Sequence, residues 1–84
     1  METKPMMLDY PTPDLYLAAY FLTKGIELIG VQRSPDSPRC YFLFSNPLGC
    51  KVAVNEFYNK KGSVEPKTYA EAIRSLKDRL FVGA

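Results

Sequence analysis

The side chains that most often carry enzymatic chemistry are sparse in this sequence of 84 residues. There is no histidine, which removes the commonest general base near neutral pH and the commonest zinc ligand. The nine carboxylates are scattered, and no pair has the spacing that a hydrolase or a metal site needs. The sequence also lacks glycine-rich phosphate loops and the nucleophile elbow. We therefore expect a protein that is not an enzyme and that uses no metal or other cofactor.

The two cysteines, Cys40 and Cys50, have no neighbouring base that would mark either as a catalytic nucleophile. They are too few for a disulfide framework, and their spacing is not that of a metal motif. Both fall on apolar faces of predicted elements, which favours buried thiols over the alternative of a Cys40–Cys50 disulfide.

The N-terminus lacks a signal-peptide pattern, and no apolar run is long enough to span a bilayer. These features predict a cytoplasmic protein without membrane contact.

Four basic residues are the candidates for binding nucleic acid. Arg33 and Arg39 flank a predicted hairpin loop, and Lys60 and Lys61 follow a predicted helix, so phosphate contacts are conceivable there. Eleven basic and nine acidic side chains leave a net charge of only +2. Lysine and arginine near helix ends are also explained by the helix dipole and by the need for a charged surface.

Aromatic side chains are the candidates for binding protein, because the sequence has six tyrosines and five phenylalanines. Tyrosine is favoured where one end of the ring is dry and the other is wet, as at protein interfaces. The candidate interface residues are Tyr16, Tyr20, Tyr41 and Leu43. The alternative is that these side chains simply fill a small core.

The Asp14–Gly25 run has the strongest helical pattern of the chain. Thr12 is the expected N-cap, with Pro13 at the first helical position and Asp14 in the first turn. Gly25 is placed to end the helix in a left-handed conformation. Apolar residues cover most of the circumference, which is typical of a helix that is buried against more than one neighbour.

Two strands, Ile26–Arg33 and Arg39–Ser45, are predicted next, and the five-residue loop Ser34–Pro38 makes an antiparallel hairpin the simplest connection. The second strand is apolar on both faces, whereas a two-stranded sheet in water normally has one polar face. Helices can cover one of these faces. The other needs a further helix, the Met6–Tyr10 segment or a second protein molecule.

Two more helices complete the expected fold. The second begins with Asn46 (or Ser45) as cap and Pro47 at the first helical position, and it ends near Asn59–Lys61 with Gly62 as terminator. The third opens at Pro66, and an apolar stripe runs along it: Tyr69, Ala72, Ile73, Leu76 and Leu80.

The order α-β-β-α-α predicts a small α+β domain in which an antiparallel β-hairpin packs against helices. Residues 12–84 are expected to form a single globular domain. Residues 1–11 are expected to form an N-terminal arm, within which Met6–Tyr10 is a candidate for a short extra strand.

Four runs together resemble an uncharacterised family of small prokaryotic and bacteriophage domains of unknown function: DLYLAAYFLTKGIELIGVQ, RCYFLF, NEFYN and EPKTYAEAIRSLKDRLF. The resemblance implies a compact standalone domain that is often encoded on mobile elements. It supplies no activity, cofactor or catalytic residue.

These observations favour a non-enzymatic accessory module that acts by contact with another protein or with a copy of itself. The alternative is a small nucleic-acid-binding or regulatory protein that uses the arginines and lysines around the hairpin and the helix ends.

Overall fold

A computed structural model of the chain describes residues 9–33, 35–36 and 38–82, apart from the side chains of residues 81 and 82. These residues form three strands and three helices in the order β1 (Tyr10–Thr12), α1 (Leu15–Thr23), β2 (Leu28–Arg33), β3 (Cys40–Phe44), α2 (Pro47–Tyr58) and α3 (Pro66–Val82). The predicted α+β class is confirmed, and one short strand precedes the predicted α-β-β-α-α order.

The three strands form one antiparallel sheet in which β3 lies between β1 and β2. The predicted hairpin of β2 and β3 is therefore confirmed, although Ser34 and Ser37 of its loop lie outside the described residues. The extra strand β1 shares only Tyr10 with the Met6–Tyr10 candidate. Residues 1–8 of the predicted arm and residues 83–84 also lie outside the described residues.

Helix α1 lies at the centre of the fold. Its residues from Leu17 to Phe21 are all buried, with exposed fractions of 4% or less. The ring of Phe21 meets Phe44 and Tyr10 edge-on, with centroids 5.0 Å and 5.7 Å away, which packs α1 against the sheet. Helices α2 and α3 pack against other sides of α1. The expectation that this helix is buried against more than one neighbour is confirmed.

The N-cap of α1 differs from the prediction. Asp14 is the cap, and its Oδ1 accepts hydrogen bonds from the backbone N–H groups of Tyr16 (3.0 Å) and Leu17 (3.2 Å). Thr12 instead ends β1 opposite Phe42, and its hydroxyl accepts from the Asp14 N–H. The prediction of Thr12 as the N-cap was wrong because the β-branched side chain of threonine suits a buried strand position. Aspartate is at least as good an N-cap as threonine, so Asp14 can take that role. Gly25 follows the helix with φ 83°, as predicted.

The end of α2 also differs from the prediction. Asn46 caps its start as expected, but the left-handed residue after its end is Lys60, with φ 59°, and not Gly62. Gly62 is required for another reason, since a Cβ at this position would overlap the hydroxyl of Tyr20. The glycine marks a close approach between the turn and α1.

The core lies on one side of the sheet. Phe42 and Phe44 of β3 join the buried residues of α1, Cys50 and Ala53 of α2, and Leu76 of α3. The predicted stripe of α3 is confirmed, because its other members are half-buried against this cluster. All three helices therefore cover the same face of the sheet.

Candidate interaction surface

The opposite face of the sheet, here called the outer face, carries Pro11, Ile29, Gln32, Tyr41 and Leu43. Successive side chains of a strand point to opposite faces, so burial of Phe42 and Phe44 directs Tyr41 and Leu43 outward. Pro11 lies opposite Leu43, and Gln32 lies opposite Tyr41. Three apolar residues, Ile29, Tyr41 and Leu43, are not among those packed against the core. The outer face is thus apolar at its centre, and no described core residue covers it.

Ile29 reaches the outer face through an irregularity in β2. Leu28 lies opposite Phe44 and Gly30 lies opposite Leu43, so Ile29 is an extra residue, and 52% of its surface is exposed. Bulges of this kind interrupt the regular hydrogen bonding of a strand. Gly30 indicates a bulge or a close backbone approach in this strand, as a glycine within a strand often does, but the sequence does not show that Ile29 is the extra residue.

Both edges of the sheet are poorly suited to adding another strand. The edge strand β1 has only three residues, and Pro11 at its centre has no N–H to donate. The other edge strand, β2, is interrupted at Ile29. Short strands, proline and bulges are the features that protect sheet edges from further pairing. A partner of this sheet is therefore better placed on the outer face than along an edge.

The structure separates the four candidate interface residues. Tyr41 and Leu43 are half-buried neighbours on the outer face, and Tyr16 is 56% exposed in the first turn of α1. Tyr20 is only 3% exposed, and its ring lies 5.5 Å from that of Phe57. Tyr20 is part of the core and is too buried to contact a partner protein.

The hydroxyl of Tyr20 donates a hydrogen bond of 2.7 Å to Oε1 of Glu56. Burial of the ring, and then the hydrogen bond to Glu56 and its negative charge, raise the pKa of Tyr20 to about 12. Because the neutral hydroxyl is the donor, this contact depends on the tyrosine staying protonated. Its role is to join α1 to α2.

A second group of aromatic residues, here called the tyrosine cluster, surrounds Asp14 and consists of Tyr16, Tyr58 and Tyr69. Tyr58 donates to Oδ2 of Asp14 (3.3 Å), and Tyr69 donates to the backbone carbonyl of Tyr16 (2.9 Å). Desolvation, followed by the negative charge of Asp14, raises the pKa of both Tyr58 and Tyr69. Tyr58 and Tyr69 were not among the predicted interface residues, because their proximity to Tyr16 arises only in the fold.

The four candidate nucleic-acid contacts lie in two parts of the fold. Arg33 and Arg39 flank the hairpin loop, and Lys60 and Lys61 lie in the turn after α2. The Arg33 guanidinium donates to Sγ of Cys40 (3.2 Å) and to the carbonyl of Leu80 near the end of α3 (2.8 Å). At least Arg33 therefore has a structural role, since it binds a carbonyl in the last turn of a helix.

Neither cysteine forms a disulfide. Cys50 is fully buried as predicted, its thiol donates to the Ser45 carbonyl (3.4 Å), and burial raises its pKa. Cys40 is only half-buried, beside Arg33.

Within the described part of the chain, histidine, cysteine and acidic residues form no group of three or more that could hold a metal ion. In that same part, no helix combines the length and apolarity needed to cross a membrane.

Comparison with known proteins places the chain in a family. A family model described as a domain of unknown function (DUF5659) matches residues 7–83, which include every strand and helix described above. No curated protein and no solved structure matches the chain significantly. The match assigns no activity, so the properties of the surface must support any proposal about function.

Proposed function

We propose that this chain, which belongs to the DUF5659 family of domains of unknown function, is a non-enzymatic accessory module that binds another protein through the outer face of its sheet. The observation that carries the proposal is that the central strand presents Tyr41 and Leu43 on the face opposite the core. The proposal includes a cytoplasmic location and, from the resemblance noted in the sequence, encoding by bacteriophages or other mobile elements.

The composition of the outer face supports binding. Ile29, Tyr41 and Leu43 are a compact apolar centre, and burying apolar surface contributes about 25 cal/mol per Å² removed from water. Gln32 beside Tyr41 adds a polar margin. An apolar centre with a polar margin, and tyrosine in that centre, is the usual composition of a protein interface. The partner surface is expected to be apolar, and it can belong to a different protein or to a second copy of this chain.

A pair of surface variants tests this proposal. Ile29→Lys combined with Leu43→Lys places two charges on the outer face, whereas Leu48→Lys places one on α2, where Leu48 is 75% exposed. Each purified protein is immobilised and exposed to an extract of the cells that express it. We expect the wild-type protein and the Leu48 variant to retain the same defined partner, and the outer-face variant to lose it. Retention of that partner by all three proteins would contradict the proposal.

Light scattering over a range of concentrations separates the two kinds of partner. If the partner is a second copy, the wild-type protein and the Leu48→Lys variant form a dimer as concentration rises, and the outer-face variant stays monomeric. If all three are monomeric, self-association is excluded and the partner must be a different protein.

Nucleic acid is the alternative proposal, and its support is that Arg33 and Arg39, both exposed, flank the hairpin loop. Electrostatic binding of this kind is strongest at low salt. An electrophoretic shift with mixed DNA and RNA at low salt, lost when Arg39, Lys60 and Lys61 are changed to glutamine, would favour this alternative. No shift at low salt excludes it.

A further inference from the structure

The tyrosine cluster is formed by the ends of three helices. Tyr16 lies in the first turn of α1, Tyr58 is the last residue of α2 and Tyr69 lies near the start of α3. The hydroxyls of Tyr58 and Tyr69 donate to Asp14 and to the backbone carbonyl of Tyr16, which brings the three side chains together near one carboxylate. The cluster shares no residue with the outer face of the sheet.

Two of the three tyrosines expose more than half of their surface to solvent. Tyr16 is 56% exposed and Tyr58 is 61% exposed, and Tyr69 is half-buried beside them. The ring of Tyr58 contacts that of Phe57 edge-on, with centroids 5.2 Å apart. Side chains that are already positioned lose little conformational entropy when a ligand binds. The cluster therefore presents aromatic surface in a form that suits binding.

The electrostatics of the cluster favour a cation. The three donors that bind the Asp14 carboxylate, the N–H groups of Tyr16 and Leu17 and the hydroxyl of Tyr58, are all uncharged. The helix dipole offsets only part of the negative charge. That charge acts on the tyrosines, because desolvation, followed by the charge of Asp14, raises the pKa of both Tyr58 and Tyr69. The faces of aromatic rings also carry partial negative charge and attract cations.

A guanidinium group suits both the rings and the carboxylate. It is planar, so it can stack on a tyrosine ring while the N–H groups in its plane donate to a carboxylate. The hydrogen bond from Tyr58 to Oδ2 of Asp14 is 3.3 Å long, whereas hydroxyl hydrogen bonds are usually about 2.7–2.8 Å long. A charged donor binds a carboxylate oxygen more strongly than a neutral hydroxyl does. Oδ2 of Asp14 can therefore accept a guanidinium N–H group.

We infer that the tyrosine cluster binds the guanidinium group of an arginine side chain on another protein. The guanidinium donates to Oδ2 of Asp14 and stacks on the exposed rings of Tyr16 and Tyr58. An arginine fixed on a protein surface suits this open cluster, because sites for free small molecules usually enclose most of the ligand. This contact is additional to protein binding by the outer face, and either proposal can fail without the other.

Short peptides with blocked ends test the chemistry of the ligand. Each has one variable residue between two glycines and is titrated into the isotope-labelled protein at low salt by nuclear magnetic resonance. The arginine peptide is expected to shift the signals of Tyr16 and Tyr58. The citrulline peptide, which has a similar shape without the charge, should bind about tenfold more weakly. The lysine peptide, which has the charge without the planar group, should bind about threefold more weakly.

Methylguanidinium tests whether the ligand is a protein side chain or a free small cation. It has the head group of arginine but lacks the alkyl stem, which can pack along an aromatic ring. We therefore expect methylguanidinium to bind more weakly than the arginine peptide does.

Variants of the cluster test the geometry. Asp14→Asn removes the charge but keeps a side chain that caps helices as well as aspartate does, and it should weaken binding of the arginine peptide about tenfold. Asp78→Asn makes the same change at an exposed position of α3 and is expected to bind as the wild-type protein does. Tyr58→Leu should weaken binding about threefold, whereas Tyr58→Phe keeps the ring and should bind at least as tightly as the wild-type protein.

The spectrum of each variant shows whether it is folded, and the peptide comparison on the wild-type protein needs no variant. Equal affinity for the arginine peptide and for the citrulline or lysine peptide would overturn the inference. Equal affinity for methylguanidinium would overturn the assignment to a protein side chain. Unchanged binding in Asp14→Asn, or the same loss in Tyr58→Phe as in Tyr58→Leu, would also overturn the inference.

Discussion

The start of α2 depends on one pair of residues, Asn46 and Gly49. Asn46 adopts a left-handed conformation with φ 56°, and its Oδ1 accepts a hydrogen bond of 3.1 Å from the Gly49 N–H. A Cβ on Gly49 would overlap the side-chain amide of Asn46. Glycine lowers intrinsic helix propensity at this position, but its lack of a side chain is what allows the cap to form.

The first prediction is that Gly49→Ala destabilises the protein by about 1 kcal/mol, because Asn46 must give up its cap. In an Asn46→Gly background, where the overlapping side chain is gone, the same change is expected to stabilise the protein by up to about 1 kcal/mol, as alanine normally does in a helix. Urea unfolding of the four proteins in this cycle measures both effects. Equal effects of Gly49→Ala in the two backgrounds would contradict this explanation.

The second prediction concerns Tyr20 and alkaline pH. Its pKa is about 12 in the folded protein and 10.0 ordinarily, so the folded state favours the neutral hydroxyl. The stability that Tyr20 contributes is therefore complete below pH 10.0 and is lost as pH rises toward about 12. Tyr20→Phe should cost about 1 kcal/mol at neutral pH, through loss of the hydrogen bond to Glu56, and should reduce the alkaline loss of stability.

Tyr16→Phe is the matched control for Tyr20, because Tyr16 is 56% exposed. It should leave the stability at neutral pH unchanged. Tyr58 and Tyr69 also have raised pKa values, so some alkaline destabilisation should remain in every variant. Chemical unfolding at several pH values between neutrality and pH 11 provides the comparison. If the loss of stability at alkaline pH is as steep in Tyr20→Phe as in the wild-type protein, that loss cannot be assigned to Tyr20.

At the scale of elements, helices and the hairpin were predictable because their patterns are local. The stripe of α3 and the proline at the start of α2 and α3 are visible within a few residues of sequence. Strand β1 has three residues and exists by pairing with β3, some thirty residues away in the chain, which no local pattern shows. Gly62 was misread for a related reason, because its contact with Tyr20 is made only in the fold.

The third prediction follows from how α2 ends. Lys60 has φ 59°, a conformation that glycine adopts without strain, so Lys60→Gly should stabilise the protein by about 0.5–1 kcal/mol. Lys61 has no positive φ, and Lys61→Gly should be neutral or destabilising. Thermal unfolding of the two variants makes the comparison at equal net charge. If Lys60→Gly and Lys61→Gly change the stability by similar amounts, the left-handed conformation of Lys60 does not destabilise the end of α2.

The described part of the molecule is asymmetric, with α1, α2 and α3 on one face of the sheet and the outer face opposite. Tyr41 and Leu43 could be predicted as surface candidates because a strand with two apolar faces needs cover on both. Ile29 could not, because it is the unpaired residue of a bulge, and the sequence does not show which residue that is. The tyrosine cluster could not either, since positions 16, 58 and 69 meet only after α1, α2 and α3 have packed.

The fourth prediction is that the two faces of β3 differ in their importance for stability. Leu43→Lys should cost under about 1 kcal/mol, as surface substitutions usually do, because Leu43 is not packed against the core. Phe44→Ala should cost about 3–5 kcal/mol, because Phe44 is fully buried against Phe21. Urea unfolding measures both. A loss for Leu43→Lys as large as that for Phe44→Ala would mean that the outer face belongs to the core.

Site-specific photocrosslinking in the cells that express the protein tests the central claim most directly. A photoreactive phenylalanine analogue is placed at position 41 on the outer face, at position 58 in the tyrosine cluster or at position 48 on α2. The outer-face proposal predicts that position 41 gives a discrete protein adduct that Ile29→Lys abolishes, and that position 48 gives no such adduct. An adduct formed from position 48 or 58 but not from position 41 would contradict it, as would crosslinking of position 41 to nucleic acid.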